Sequence, residues 1–390
     1  MSTIINADTS NGLKLTSDTS GEIELQANGV TKAKVTANGL QDANNNVLAT
    51  QNSLGVRNLI INGDMRIDQR NGGSSVTISS TQAYFTDRFS INCTGSVTGQ
   101  QVIDAPSNMV YSLKGTVNAS TLRTTVFQRI EANNLSHALT STTTLSFWAK
   151  SSQTGIRSVN YTLTDSSTVA KVTYIAEFNI TSANTWQQFS INIPTPSTLT
   201  GVNTYGNSVS AQLSFMFSKN SSPSVGTVDS WNSASPNLYS VSTNLIDMTS
   251  GGTFNITGVQ LEVSSVSTDF EFRPYDMELQ RCQRYYWKYV EGLSKYINIG
   301  CLFTASAVQT VVTFPTTMRT TPTFDHSTGT NYYGYYGTAG WDDFNSFTPE
   351  YLNLSSSGLY NATQVSGTAG HGVAVATRNA SAYIAFDAEL

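Results

Sequence analysis

The stretch Phe254-Asn255-Ile256-Thr257-Gly258-Val259-Gln260-Leu261-Glu262-Val263 is followed by Thr268-Asp269-Phe270-Glu271-Phe272-Arg273-Pro274-Tyr275 and then by DMELQRCQRYYWK, Asp276 to Lys288. Its first part alternates apolar and polar side chains, the period of a half-buried strand that closes a sheet. Pro274 ends the extended run, Asp276 is placed to cap a helix, and Glu278 puts negative charge in its first turn. The spacing predicts a helix of about four turns over 276–291. Cys282, Tyr285, Tyr286, Tyr289 and Val290 recur at helical steps, while Arg281, Arg284 and Lys288 take the other, solvated or subunit-facing side, and Gly292 is the stop.

Charged residues make up 12% of the chain, about half of the ~25% usual in soluble domains. Hydroxyl and amide side chains carry its polarity instead. Such a surface loses little by lying against another copy of itself, and its Thr content favours strands. The formal net charge of −5 and a pI near 5.2 give no cationic footprint for nucleic acid. No basic-then-apolar leader opens the sequence, and no apolar run approaches the ~20 residues of a membrane helix, so no membrane insertion is expected. The reading is of a protein that stays soluble in the cytoplasm of the producing cell. Cys93, Cys282 and Cys301 read as free thiols.

At 390 residues the chain exceeds the ~250–300 at which single cores stop growing. Residues 1–54 lack aromatic side chains and carry short apolar pairs, Leu13/Leu15, Ile23/Leu25 and Ala33/Val35, with Val30 and Leu40 between turns. Ala27-Asn28-Gly29-Val30 returns as Ala37-Asn38-Gly39-Leu40, a repeat whose Asn-Gly pairs suit tight turns. One copy cannot bury these residues, whereas three wound about an axis can. An intertwined shaft or virion-anchoring segment is the preferred reading, a disordered polar tail the alternative.

Residues 55–275 read as a β-sandwich, with strands at 144–149, 159–163, 170–180, 186–193, 209–217 and 254–263. Phe147, Trp148, Trp186 and Phe215 are its expected core. The polar stretch 219–253, with Trp231, is a functional loop or an inserted element. Residues 276–390 read as the helix plus a β domain, with strands at 296–303, 309–314, 373–377 and 383–386 and a break at Thr321-Pro322.

The GVQLE strand, the FRPY turn and the CQRYYWK helix, in that order, resemble the tail-fibre and receptor-binding proteins of tailed bacteriophages. Asn58 to Met65 (NLIINGDM), Tyr84 to Phe89 (YFTDRF), Leu145 to Lys150 (LSFWAK) and Val312 to Thr323 (VTFPTTMRTTPT) extend the resemblance over residues 58–323. It implies an all-β chain: an N-terminal shaft or anchor, a central jelly roll similar to carbohydrate-binding modules, one connecting α-helix, and a C-terminal β-sandwich head. It also implies a structural virion protein that attaches to host-surface polysaccharide as a homotrimer and docks to other tail proteins through residues 1–54. A capsid decoration or head-fibre protein and a polysaccharide-degrading tailspike are the alternatives.

Two sets of residues are candidate sites. Tyr332, Tyr333, Tyr335 and Tyr336, with Trp341, Asp342 and Asp343, form the densest aromatic cluster, and the interspersed glycines place it in a loop. Aromatic rings take the C–H faces of sugars and carboxylates accept from hydroxyls, so the cluster suits a saccharide platform; packing between subunits accounts for it equally. Asn62, Asp64 and Glu262 offer oxygen ligands for a structural Ca²⁺ where the first and last strands of such a jelly roll meet, unless Asp64 simply makes a turn with Gly63. No enzyme is expected. His137, His326 and His371 have no partner motif, and Asp342, Asp343 and Glu350 could form a glycosidase pair only through the accident of folding.

Overall fold

The computed structural model describes residues 23–49, with breaks at 28, 37–38 and 44–46, and residues 57–390, with breaks at 119–122, 219–224, 234–238 and 241–247. The readings made on Leu13, Leu15, Asn28 and Asn38 lie outside the described residues. The chain divides into two compact units, Met1–Arg57 and Asn58–Leu390. Among the described residues no helix is long and apolar enough to cross a membrane.

In the first unit Ile23–Ala27, Val30–Thr36, Gly39–Asp42 and Val47–Ala49 form an antiparallel meander. Its register sets Ile23 opposite Val35, Val35 opposite Leu40 and Leu25 opposite Ala33. Directly opposed residues share a face, so these apolar side chains line one side of the sheet. On the other side Glu24 pairs with Lys34 at 3.4 Å and accepts from Gln26 and Thr31. The apolar side is not buried: Ile23, Leu25, Val35 and Leu40 are all exposed.

The second unit opens with a two-sheet sandwich. One sheet runs, in spatial order, Ser230–Ser233, Ala170–Ile180, Gly155–Thr164, Val209–Ser218, Arg123–Glu131, Phe89–Thr94 and Gln82–Thr86. The other runs Gln187–Ile193, Thr143–Ser151, Thr253–Val263, Ser112–Val117, Ser96–Val102 and Val76–Ser79. Phe147 and Phe215 meet between them with ring centroids 4.9 Å apart, and Phe178 and Phe189 close the cluster. Trp148 and Trp186 are not core residues. Strand alternation that turns Phe147 inwards turns Trp148 outwards, and Trp186 is half-buried, donating to Asp104 beneath the Lys150 ammonium. Trp231, expected in a long loop, packs on Tyr161 and Tyr174 and donates to the Pro194 carbonyl, so that part of the stretch belongs to the sandwich.

The motif strand Thr253–Val263 lies at the centre of its sheet, between Thr143–Ser151 and Ser112–Val117. Gly258 sits at φ +61, where the pairing with Thr143–Ser151 shifts register, a conformation that L side chains rarely adopt. Beyond that point the strand is clasped by residues 58–63. Leu59 donates to the Leu261 carbonyl, Val259 to the Gly63 carbonyl, and Asn58 bonds both Val259 and Leu261.

The helix is shorter than expected, Tyr275–Gln283, and Tyr286–Glu291 is a strand paired with Tyr383–Asp387. Pro274, not Asp276, takes the cap position, and no side chain caps the first turn. The aromatic run satisfies a pleated surface as well as a helical one, and pairing wins because it stacks Trp287 on Phe386 and against Phe314. Arg284 and Lys288 are not simply solvated: Arg284 meets the buried Glu131 at 2.6 Å, and Lys288 meets Glu291 at 3.0 Å. The second sheet of this region runs Gly340–Phe344, Tyr333–Gly337, Gly372–Thr377, Tyr296–Thr304, Ala307–Thr313, Ser356–Asn361 and Thr348–Glu350.

Ionic groups, buried at Arg88 and Glu389 and partly buried elsewhere, join this region to the sandwich. Arg70 meets Asp387 at 2.8 Å, Arg88 bonds Glu389 with its guanidinium 3.5 Å from the centre of the Tyr285 ring, and Arg129 donates to the Leu390 carbonyl. Arg319 holds the Ala388 and Glu389 carbonyls. Nearby, Asp87 is fully enclosed and accepts from the backbone and side chain of Gln69. Burial pushes its carboxyl up to about 7. The folded state therefore keeps a proton that the unfolded chain releases near pH 4, and the stabilising contribution is complete at acid pH and lost as pH rises through about 7. Asp87→Asn is expected to raise the melting temperature at pH 8 and to leave it nearly unchanged at pH 4, as scanning calorimetry over that range would show.

Candidate functional site

The aromatic cluster forms a hairpin, not a loop: Tyr333–Gly337 pairs with Gly340–Phe344 and, on its other edge, with Gly372–Thr377. Alternation divides the rings between two faces. Tyr333 and Tyr335 point into the core, where Tyr333 packs on Phe344 and Phe347 and burial pushes its phenol up to about 12. Tyr332 is half-buried against that core. Tyr336 and Trp341 oppose each other on the outer face, 53% and 40% exposed, with ring centroids 5.4 Å apart. The Arg378 guanidinium lies 4.1 Å from the Trp341 ring centre and meets Asp343 at 2.9 Å. Arg378 is a partner that the sequence did not disclose, since it lies on a loop 35 positions beyond Asp343.

Asp342 and Asp343, adjacent on one strand, face opposite sides. Asp342 accepts from the Ser366 N–H at 2.6 Å and the Tyr335 hydroxyl at 3.4 Å, tying the hairpin to the following loop. Between the hairpin turn and that loop lies a cavity of about 400 Å³, lined among others by Leu302, Tyr335, Trp341, Asp342, Ser366 and His371. Its volume falls in the range of small-ligand sites, and its lining combines rings with a few convergent polar groups. Opposed carboxylates flanking one sugar are not formed here: Asp342 and Asp343 diverge, and Glu350 accepts from Gln309.

The outer face continues from Trp341 and Tyr336 across the sheet. Tyr336 is opposite Ala374, Ala374 opposite Ile299, and Val311 stands on the next strand. Ile299 and Val311 are 71% and 53% exposed. Together with Phe303, also exposed, they extend an apolar surface beyond the two rings.

Asn62, Asp64 and Glu262 do not present free oxygens to a cation. Asn62 accepts from the Ile67 N–H and donates to the Ile67 and Asp87 carbonyls, fixing its own turn. Asp64 meets Arg66 at 3.2 Å. Both oxygens of Glu262 are taken, one by Gln260 and the Thr268 N–H, the other by the Thr268 hydroxyl. The Asn62 and Glu262 oxygens are satisfied by protein donors and Asp64 faces the Arg66 cation, so the three do not fit a calcium site. Among the described residues no group of three or more His, Cys, Asp or Glu could hold a metal ion.

No protein family and no curated protein sequence matches the chain. Solved structures with partial likeness include the enzymatically active domain of tailspike protein 4 from bacteriophage CBA120, at 18% identity and a TM-score of 0.31 over 53% of this chain and 21% of that one. A putative sugar-binding protein from Bacteroides thetaiotaomicron gives 12% identity and 0.31 over 53% of this chain and all of its own length. A family 11 carbohydrate-binding module of a Clostridium thermocellum cellulase gives 9% and 0.27 over 51% of this chain and 94% of that one. Likeness at this level assigns neither family nor function.

Proposed function

We propose that the chain is a structural virion protein, a phage tail fibre that attaches to host-surface polysaccharide as a homotrimer, binding without catalysis. The observation that carries the binding part is the hairpin turn, where the exposed Tyr336 and Trp341 rings stand beside a cavity of about 400 Å³. Rings and cavity together offer a sugar both a C–H stacking surface and polar edges. Trp341→Ala is expected to abolish adsorption to host cells while the oligomer stays intact in light scattering; normal adsorption would sink the reading. The continuity of Trp341 with Ile299 and Val311 favours one competing role, packing between subunits. In that case the same variant loses the oligomer together with adsorption.

Self-association is supported by the first unit, whose four-stranded meander leaves Ile23, Leu25, Val35 and Leu40 uncovered. A small sheet needs its apolar face packed to persist. Identical copies can supply that packing and place three weak sugar sites on one axis, raising avidity. Multi-angle light scattering is expected to give a trimer for the whole chain and a smaller species for a chain beginning at Asn58. A monomer in both cases would leave a capsid decoration or an isolated binding module as the better reading. The virion location and docking through the N-terminal segment, like the trimer, belong to this proposal.

A further inference from the structure

The seven strands of the sheet that carries the hairpin contain no lysine or arginine and only three carboxylates. Asp342 faces the cavity, Asp343 is paired with Arg378, and Glu350 accepts from Gln309. The outer face between them is apolar. Its register sets Trp341 opposite Tyr336, Tyr336 opposite Ala374 and Ala374 opposite Ile299, and directly opposed residues share a face. Val311, opposite Gly358, stands on the next strand, while Tyr296, opposite Ala376, and Phe303 lie on the same strand as Ile299. The inner face is a different surface, where Leu302, Val308, Val312 and Val375 fill the core.

Single exposed apolar side chains are ordinary, whereas a contiguous set of them marks a surface that something covers. Tyr296 is 71% and Phe303 64% exposed. At ~200 Å² per ring residue, these two with Tyr336 and Trp341 leave roughly 450 Å² in water. Ile299 and Val311 add to that area. A stable interface takes ~800 Å² from each partner, and at ~65% apolar it needs about 500 Å² of apolar surface. The face meets that requirement. It offers a foreign partner no charge pattern to read, but it suits a copy of itself, because like then meets like with no repelling pair and no charge to desolvate.

We infer that this face is a contact between copies of the chain, centred on Ile299, Phe303 and Val311, with Tyr336 and Trp341 at its rim. The inference rests on the self-association proposed above and adds a second contact, separate from the apolar face of the first unit. Copies already joined elsewhere meet here at high effective concentration, so the contact need not be tight. A sugar held at Trp341 then lies beside a subunit boundary. Cys301, between Ile299 and Phe303 in sequence, faces the same way as Ile299 and is exposed in the single chain, whereas Cys93 and Cys282 are buried within it. The contact covers Cys301.

The test is labelling of the full chain with N-ethylmaleimide, the modified thiol being located by peptide mass spectrometry and the oligomer followed by light scattering. Cys301 is expected to react about tenfold more slowly in the wild-type chain than in two variants, Ile299→Gln with Val311→Gln, and Phe303→Ser. All three positions are exposed in the single chain, and circular dichroism checks that each variant keeps the fold. Trp341→Ala is expected to leave the protection intact. Fast labelling of Cys301 in a wild-type oligomer overturns this contact and leaves self-association through the first unit standing. Equal protection in the wild type and both variants overturns the location. A wild-type monomer overturns the contact and the trimer together, while loss of adsorption in Trp341→Ala would still support the sugar site.

Discussion

Arg273→Ala is expected to destabilise the second unit by about 3–5 kcal/mol, the range for breaking a buried ion pair from one side. The guanidinium meets Glu278 at 2.9 Å and Glu271 at 3.0 Å, and donates to the carbonyls of Ile60 and Asn58. Glu278, 2% exposed, also accepts from the Asn62 N–H. Without Arg273 a buried carboxylate faces two carbonyls with no cation, and the clasp between residues 58–63, the motif strand and the helix opens. Lysine should rescue little, because one ammonium cannot reproduce a planar fork directed at four acceptors. Removing both partners, as Arg273→Met with Glu278→Leu, is expected to cost less than Arg273→Ala alone. Urea unfolding followed by tryptophan fluorescence measures all three; a loss below about 1 kcal/mol for Arg273→Ala would show that the pair does not close the clasp.

Gly63→Ala is expected to be comparably damaging, for a steric reason. A Cβ at this position would stand 2.1 Å from the Val259 carbonyl oxygen, which also accepts from the Asn58 amide. Both sides of that contact are backbone within one hydrogen-bonded pairing, so relief requires the strands to part. The cost should reach or exceed the upper end of the ~1–3 kcal/mol typical of overpacking. Gly372→Ala is the control: a Cβ there meets nothing within 4 Å, and a change within about 0.5 kcal/mol is expected. A midpoint shift equal to that of the control would refute the steric account of Gly63.

These two positions lie in segments that the sequence singles out, although their work there is structural. The motif strand was legible because its alternation is long and unbroken, and Thr253–Val263 differs from the reading by a single residue. The helix was over-extended because Tyr285, Tyr286, Tyr289 and Val290 satisfy two periods at once, and only the distant partner Tyr383–Asp387 decides between them. In the candidate site, Tyr336 and Trp341 are exposed as a binding surface requires, whereas Tyr333 and Tyr335 are buried. The glycine between those buried tyrosines suggested a turn; a Cβ on Gly334 would instead strike Asp343 within 2.4 Å, so the gap makes room for the Asp343–Arg378 pair. Arg70 and Asp387 are 317 positions apart, and no local pattern links them. The apolar row from Trp341 to Ile299 is hidden for a related reason, since its members come from strands that become neighbours only through the sheet order.

The anchoring of residues 387–390 also has a mechanical consequence. The last strand, Tyr383–Asp387, runs directly into residues 387–390, which Arg70, Arg88 and Arg129 grip from the sandwich. A pull that reaches this strand is thus shared among several short contacts, and no single one bears the tension. Such a joint resists swivelling between the sandwich and the sheets that follow it, so the hairpin keeps one orientation relative to the motif strand.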